Sequence, residues 1–577
     1  MHRIFRCWTF AKEDCWSLFA KHALGDKDPD EESNLKRIGK GITLASMLHS
    51  EVEIEEWNNL LHTLRLSYPY LPSQLKRCLA YCSIFLKGHK FEKGDLIRMW
   101  VAEDLVQQLN SRRMEDAGEQ YFHELLSGSI FQQSHLDQTR FEMHDFFKDD
   151  SALQNPARVR HLSCIWRLSD TLDKFLAFYG KIKVLRTFYL DHQVRAILVS
   201  TLESLENLFP SPSHLHVSSL SSCKITKFPG VCFLDNLLSL KLSRCLRITR
   251  LPTDMKDLTK LKHLDLKGAP LAELLNSIEI CSLYNLQILK LSDCRSLTCL
   301  PPNMKNLIKL EHLDISRTHI LQMPPRYGNL KRLQLLTCFV VGNNGVSGIS
   351  EVKDLSLLRD TFSILTLQHV SRIEHAEMAN LKDKKYLREL VLEWDAPCNG
   401  NTQSAGNSPP NGNMQIVNDL LNRNAENPAV EKAMVNPQNW NGKSAEDDLQ
   451  NLCATHASNV LDKLHPGENL ENLEIKNFFG MSLPNWLGNA SFSKMERQTL
   501  ENLQSCNSLP PLGQLPSLKE LAILKLTEFS SRNEAGFPSF SFLVKLYIIG
   551  CEKLTGDLPI PQRSTLELTR SQGTTCQ

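Results

Sequence analysis

The sequence lacks most of the features that announce a chemistry. Its 577 residues carry 66 Lys and Arg against 65 Asp and Glu, a net charge of +1. That balance points to neither a nucleic acid nor a membrane surface as partner. No apolar run approaches the roughly 18 residues that a membrane-spanning helix needs. The opening Met1-His2-Arg3-Ile4-Phe5-Arg6 has no apolar signal segment. The 17 cysteines include no C-x-x-C pair, and many stand where a leucine would. They fit reduced, buried thiols of a cytoplasmic protein better than a disulfide framework. Without secretion, the glycosylation triplet Asn489-Ala490-Ser491 reads as chance. There is no nucleophile–base frame and no metal-ligand spacing, so the expectation is a protein that is not an enzyme and holds no metal. His214-Leu215-His216 puts two histidines on one side of a strand, a conceivable metal pair that reads better as solvent-facing positions.

What the sequence has is a repeat. Leu234, Leu237, Leu240, Leu242 and Cys245 recur 49 residues on as Leu283, Leu286, Leu289, Leu291 and Cys294. Leu251-Pro252 and Leu300-Pro301 follow, then Met255 and Met304, then Leu261-Lys262-His263-Leu264-Asp265 and Leu310-Glu311-His312-Leu313-Asp314. The frame L-x-x-L-x-L starts at Leu237, Leu261, Leu286, Leu310 and Leu333, at spacings of 24, 25, 24 and 23 residues. This is the leucine-rich-repeat period. An amphipathic helix repeats every 3.6 residues or so and would not return at this distance. Each unit has one short strand with a single apolar side, which only a stacked neighbour can bury. The expected fold is α/β: a leucine-rich-repeat solenoid, or horseshoe, preceded by a mainly helical domain.

Six segments are expected. Residues 1–60 read as helical, with too little chain for a core of their own. Residues 61–150 form a compact domain. Repeats occupy 151–396 and begin irregularly around Arg160-His161-Leu162-Ser163, Lys183 to Thr187 and Leu215 to Cys223. Residues 397–459 change composition sharply, with Asn, Gly, Ser and Pro over Asn399 to Asn413, and read as a disordered insert. Repeats resume over 460–561, and 562–577 is a tail.

Several strings resemble one family. Trp16-Ser17-Leu18-Phe19, the run Cys78-Leu79-Ala80-Tyr81-Cys82-Ser83-Ile84-Phe85, then Leu96-Ile97-Arg98-Met99-Trp100, and Met143-His144-Asp145 stand in this order before the leucine repeats. Together they resemble the coiled-coil type of plant nucleotide-binding leucine-rich-repeat immune receptors, from about Trp8 to Pro559 apart from the insert. The resemblance implies that 1–60 is a remnant of the nucleotide-binding region and that 61–150 is a winged-helix domain ending in Met-His-Asp. It also implies that His144 touches the phosphates of bound ADP, with Asp145 orienting it or capping a helix. The family's G-x-x-x-x-G-K-[ST] loop is absent from this sequence, and Gly41-Ile42-Thr43-Leu44-Ala45 has Thr43 where the family has proline. The expectation is therefore an amino-terminally truncated receptor with no cofactor, although ADP or ATP serves intact members.

The binding surface expected from the repeat frame is the set alternating with the inward leucines: Lys241, Ser243, His263, Asp265, Lys267, Lys290, Ser292, His312, Asp314 and Ser316. Their mixed signs suit a protein ligand, which the resemblance would make a pathogen effector or a guarded host protein. The nucleotide-binding domains of another receptor chain are a second expected partner. Two other functions stay open on the sequence: a nucleotide-dependent switch ATPase, against which the missing loop stands, and a plain repeat scaffold, against which the winged-helix strings stand.

Overall fold

The computed structural model describes residues 71–143, 159–164, 182–190, 214–222, 234–395, 443–526 and 543–550, with short gaps inside these stretches. The segment 1–60, His144, Asp145, the insert up to 442 and the tail 562–577 lie outside the described residues. The chain divides into two compact units. One comprises Met1–Ser221 with Phe233–Lys241, the other Ser222–Cys232 with Leu242–Gln577.

The first unit opens with helix α1 (Ser73–Cys82), where Leu75, Cys78, Leu79 and Cys82 fall on one buried stripe at helical spacing. Strand β1 (Lys90–Glu92) leads directly into α2 (Lys93–Ala102), and α3 (Met114–Ser127) precedes β2 (Phe131–Gln133) and β3 (Arg140–Met143). The three strands form an antiparallel sheet in the order β1-β3-β2. Phe91, Phe122 and Phe131 pack between sheet and helices, with Phe122 and Phe131 5.1 Å apart at their ring centres. Helices α2 and α3 cross at Gly118, where a Cβ would lie 2.6 Å from the Ile97 Cγ2. Only glycine permits that approach.

Four parallel strands complete this unit: β4 (His161–Cys164), β5 (Thr187–Leu190), β6 (Val217–Ser219) and β7 (Ser239–Lys241). The first three are the irregular first repeats that the sequence marked, and β7 opens the regular frame. Thr187, Phe188 and Tyr189 are all buried, as are Val217, Ser218 and Ser219. A strand buried on both faces has a neighbour on each side.

The second unit is a regular solenoid. Strands β8 (His263–Asp265), β9 (Ile288–Lys290), β10 (His312–Asp314) and β11 (Leu335–Leu336) pair in parallel, and Leu264, Leu289 and Leu313 stack in register. A second parallel set follows: β12 (Cys338–Val340), β13 (Arg359–Leu365), β14 (Tyr386–Glu393), β15 (Asn472–Lys476), β16 (Arg497–Glu501), β17 (Glu520–Leu524) and β18 (Lys545–Ile549). Leu392, Ile475, Leu500, Ile523 and Ile548 form one inward row. Most repeats leave the strand through a left-handed residue, among them Arg244, Gly268, Asp293, Asn477, Asn502 and Lys525. The N–H of that residue donates to the next repeat, as Asn477 does to the Glu501 carbonyl at 2.9 Å.

Short helices return the chain along the outer side, including α4 (Ile278–Cys281) and α5 (Ile373–Met378). One expectation is corrected here. Composition puts the insert at 397–459, but Lys443–Lys463 form a 21-residue helix, α6. Ala454, Ala457, Val460 and Leu461 are buried in it. Its apolar residues recur at helical spacing and cover the repeat core, so this part belongs to the array rather than to the insert.

Candidate functional site

The face of β4–β7 that the leucine core leaves is occupied by the winged-helix fold. Tyr81 on α1 lies edge-on to His161, with 5.1 Å between ring centres. Phe85 meets Tyr189 at 5.2 Å, and the Tyr189 hydroxyl is 3.1 Å from the His89 Nε2. Lys241 of β7 pairs with Asp95 of α2, which Arg98 also bridges. Val217 belongs to the same apolar cluster as Leu79, Phe91 and Trp100.

A polar relay crosses this seam. The Thr187 hydroxyl donates to the Glu103 Oε1 at 2.7 Å, because a carboxylate can only accept. Thr187 Oγ1 then receives the Tyr81 O–H at 3.1 Å. The other carboxylate oxygen has Arg186 Nε at 3.8 Å and His216 Nδ1 at 3.9 Å. Burial is the dominant cause that pushes the Glu103 carboxyl up to about 7, against the Thr187 hydrogen bond and the Arg186 charge. Burial likewise pushes His161 down to about 4, assisted by Arg186 and Arg160. A carboxyl raised this far is often catalytic, but here it faces a threonine, a tyrosine and an arginine of its own chain.

The ten expected surface residues divide. Lys241 is committed to Asp95. Ser243, His263 and Ser292 are buried, which corrects the expectation that they face a ligand. Ser292 stands at a strand exit bonded to the neighbouring repeat, its carbonyl accepting the Gly268 amide at 2.8 Å, and a side chain this short stays below the surface there. His263 lies in register with Ile288, itself buried. Asp265 and Asp314 turn back on their own chain, accepting the Lys267 and Ser316 amides at 3.0 and 3.1 Å. Lys267, Lys290, His312 and Ser316 stay half-buried.

The more open sheet face belongs to β13–β18. Three polar or apolar rows run across it in register. The first is Thr361, Glu389, Asn472, Arg497, Glu520 and Lys545; the second Ser363, Val391, Glu474, Thr499, Ala522 and Tyr547; the third Glu393, Lys476, Glu501, Leu524 and Ile549. The first row is knitted internally: Glu389 accepts from Thr361 and from Asn472, each at 2.8 Å, and Arg497 pairs with Glu520 at 3.1 Å. In the third row burial raises the Glu393 carboxyl, with Asp395, Glu474 and Glu501 adding to it and Lys476 opposing.

Comparison with known proteins decides what carries this arrangement. The family described as "Disease resistance protein Winged helix domain" matches residues 84–149, and "R13L1/DRL21 LRRs" matches 349–420 and 439–526. The disease resistance RPP13-like protein 1 of Arabidopsis thaliana is 32% identical over 95% of this chain and 53% of its own length. The disease resistance protein RGA1 of Solanum bulbocastanum is 31% identical over 89% of this chain and 46% of its own. The chain belongs to the plant disease-resistance protein family. It spans about half the length of these curated relatives. Among solved structures, a leucine-rich-repeat protein of Leptospira interrogans covers 70% of the chain and 93% of its own, at 17% identity and a TM-score of 0.39, a likeness too slight to carry more.

In this resistance-protein chain the first match falls on the domain that covers β4–β7, and the second on the open array. The second match includes residues 443–463, which agrees with α6 being part of the repeats. On the outer side, a groove of about 840 Å³ runs between α5, the end of α6 and the turns at Trp486 and Pro511. Its rim is closed by the Lys463–Glu377 pair at 3.4 Å. Among the described residues no group of His, Cys, Asp or Glu is arranged to hold a metal ion, and no helix is long and apolar enough to cross a membrane. Sequence reasoning missed the β13–β18 face because the expected binding set came only from the most regular repeats, and in β16 Gln498 interrupts the leucine frame. Its side chain is fully buried and donates to the Leu487 carbonyl at 3.1 Å. The preceding Met495 and following Leu500 and Leu503 were the signal available.

Proposed function

We propose that this chain serves plant defence as the sensing part of an intracellular immune receptor, recognising a protein through its repeats in the cytoplasm. The observation that carries this is the unequal use of the sheet: β4–β7 are occupied by the winged helix, whereas β13–β18 leave three rows of mixed side chains half-exposed. The partner is a pathogen effector or a guarded host protein. Catalysis has no part in it. Nucleotide contact is assigned by resemblance to His144, and the sequence carries no phosphate-gripping loop to support it, so no cofactor is required for recognition.

The test is genetic. Plants lacking the gene are complemented with the wild-type chain or with Thr499→Trp, which fills the middle row of the open face. The expected result is that the wild type restores resistance to infection and Thr499→Trp does not, at equal protein level and equal melting temperature. Equal pathogen growth in all lines would contradict a role in defence. Full restoration by Thr499→Trp would contradict recognition at this face.

A further inference from the structure

The open face is not uniform along its length, and its composition defines the chemistry of what it binds. Over β14–β16 the half-buried outward positions hold Glu393, Glu474 and Glu501, and Asp395 follows at the end of β14. The cations among them are engaged. Lys476 Nζ lies 3.1 Å from Glu474, and Lys525 Nζ lies 3.4 Å from Glu501 at the exposed end of the row. These pairs take up two of the four carboxylates, Glu474 and Glu501. Over β17 and β18 the same rows change to Ala522, Leu524, Tyr547 and Ile549, all half-buried and carbon-rich. Acid on one side and apolar surface on the other lie on one continuous sheet.

We propose that this face takes an extended protein segment in which an Arg or Lys is followed three or four residues later by a large apolar side chain. The proposal rests on recognition at this face and names the partner's chemistry. An arriving cation meets the carboxylates that already repel one another around Glu393, so it gains attraction and relieves that repulsion together. The apolar residue covers Leu524, Tyr547 and Ile549. Strands lie about 4.8 Å apart and an extended chain advances about 3.3 Å per residue. Crossing from β15 to between β17 and β18 therefore takes three or four residues. Phosphate-bearing and acidic segments are repelled by the same carboxylates.

The experiment is selection of a displayed random 12-residue peptide library on the immobilised full chain, followed by titration of synthetic copies of the enriched peptides. Enrichment of an Arg or Lys three or four residues before Leu, Ile, Phe, Tyr or Trp is expected. Binding is expected to weaken at least tenfold in Glu474→Lys/Glu501→Lys, with the melting temperature unchanged. Thr499→Trp separates the two levels of the proposal. Peptides insensitive to it bind elsewhere and contradict the face itself as the recognition site. Peptides that it blocks, but that lack the basic position or ignore the double charge reversal, overturn this inference alone. A selection that enriches nothing overturns it as well.

Discussion

Glu103 keeps its carboxylate almost wholly out of water, with a side chain 1% exposed. Such a group is stabilised by hydrogen bonds only if they offset its lost hydration. Its pKa of about 7 lies above the ordinary 4.5, so the folded chain holds the proton more tightly than the unfolded one. The stability it contributes is full below 4.5 and is lost as pH rises through 7. His161 works in the opposite sense. Its pKa of about 4 lies below 6.5, so its contribution is present above 6.5 and lost as pH falls through 4. His216 is lowered too and adds to the second slope. The two effects offset across the middle of the acid range and leave Glu103 to act alone near neutrality. Glu103→Gln keeps an acceptor for Thr187 and removes the charge. Relative to the wild type it should gain up to about 3 kcal/mol at pH 8, and close to nothing at pH 4.5. Urea unfolding of both proteins at the two pH values checks this, and a difference independent of pH would contradict it. A second pair of variants tests the repeat frame. Leu264 is fully buried, so Leu264→Asp should cost about 3 kcal/mol or more. Asp265→Leu should cost about 1 kcal/mol, the worth of its bond to the Lys267 amide. Equal losses in thermal melts would show the frame displaced by one residue.

At the scale of elements, the crossing of α2 and α3 depends on one absent Cβ. Gly118→Ala should destabilise by about 1–3 kcal/mol through the clash with Ile97. Ile97→Ala added to it should recover part of the loss, and additive losses in the double variant would contradict the close packing. The strand exits give an inverse pair. Arg244 is left-handed at φ 59°, where a side chain is strained, and Gly268 holds the same position one repeat later at φ 70°. Arg244→Gly should stabilise by about 0.5–1 kcal/mol and Gly268→Ala should destabilise. Calorimetry of the two variants reads both signs, and two shifts of the same sign would contradict a shared exit geometry. The leucine period made the strands from β7 to β11 legible, because each inward residue is apolar and nothing else repeats at that spacing. The exits were not legible, since Arg, Gly, Asp, Asn and Lys share a backbone shape there and no side-chain chemistry. Nor was β16, where a buried glutamine takes a leucine's place and donates one hydrogen bond to a neighbouring turn.

For the whole molecule, the sequence revealed both domain types but not which surface each leaves open. Lys241 read as a ligand contact because the repeat frame places it outward, and outward it is. Its partner Asp95 stands 146 residues earlier, and no local pattern reports such a contact. Ser243 and Ser292 read as surface for the same reason, yet both side chains are buried. The central claim is that the winged helix occupies the sheet face of the first repeats while the face of the later repeats stays available. Hydroxyl-radical footprinting of the full chain, resolved to single side chains, tests it most directly. Tyr81 and Tyr189 are 4% and 8% exposed, and Tyr386 on β14 is 56% exposed. Slow oxidation of Tyr81 and Tyr189 beside fast oxidation of Tyr386 and measurable oxidation of Tyr547 is the predicted result. Oxidation of Tyr189 at the rate of Tyr386 would contradict the account.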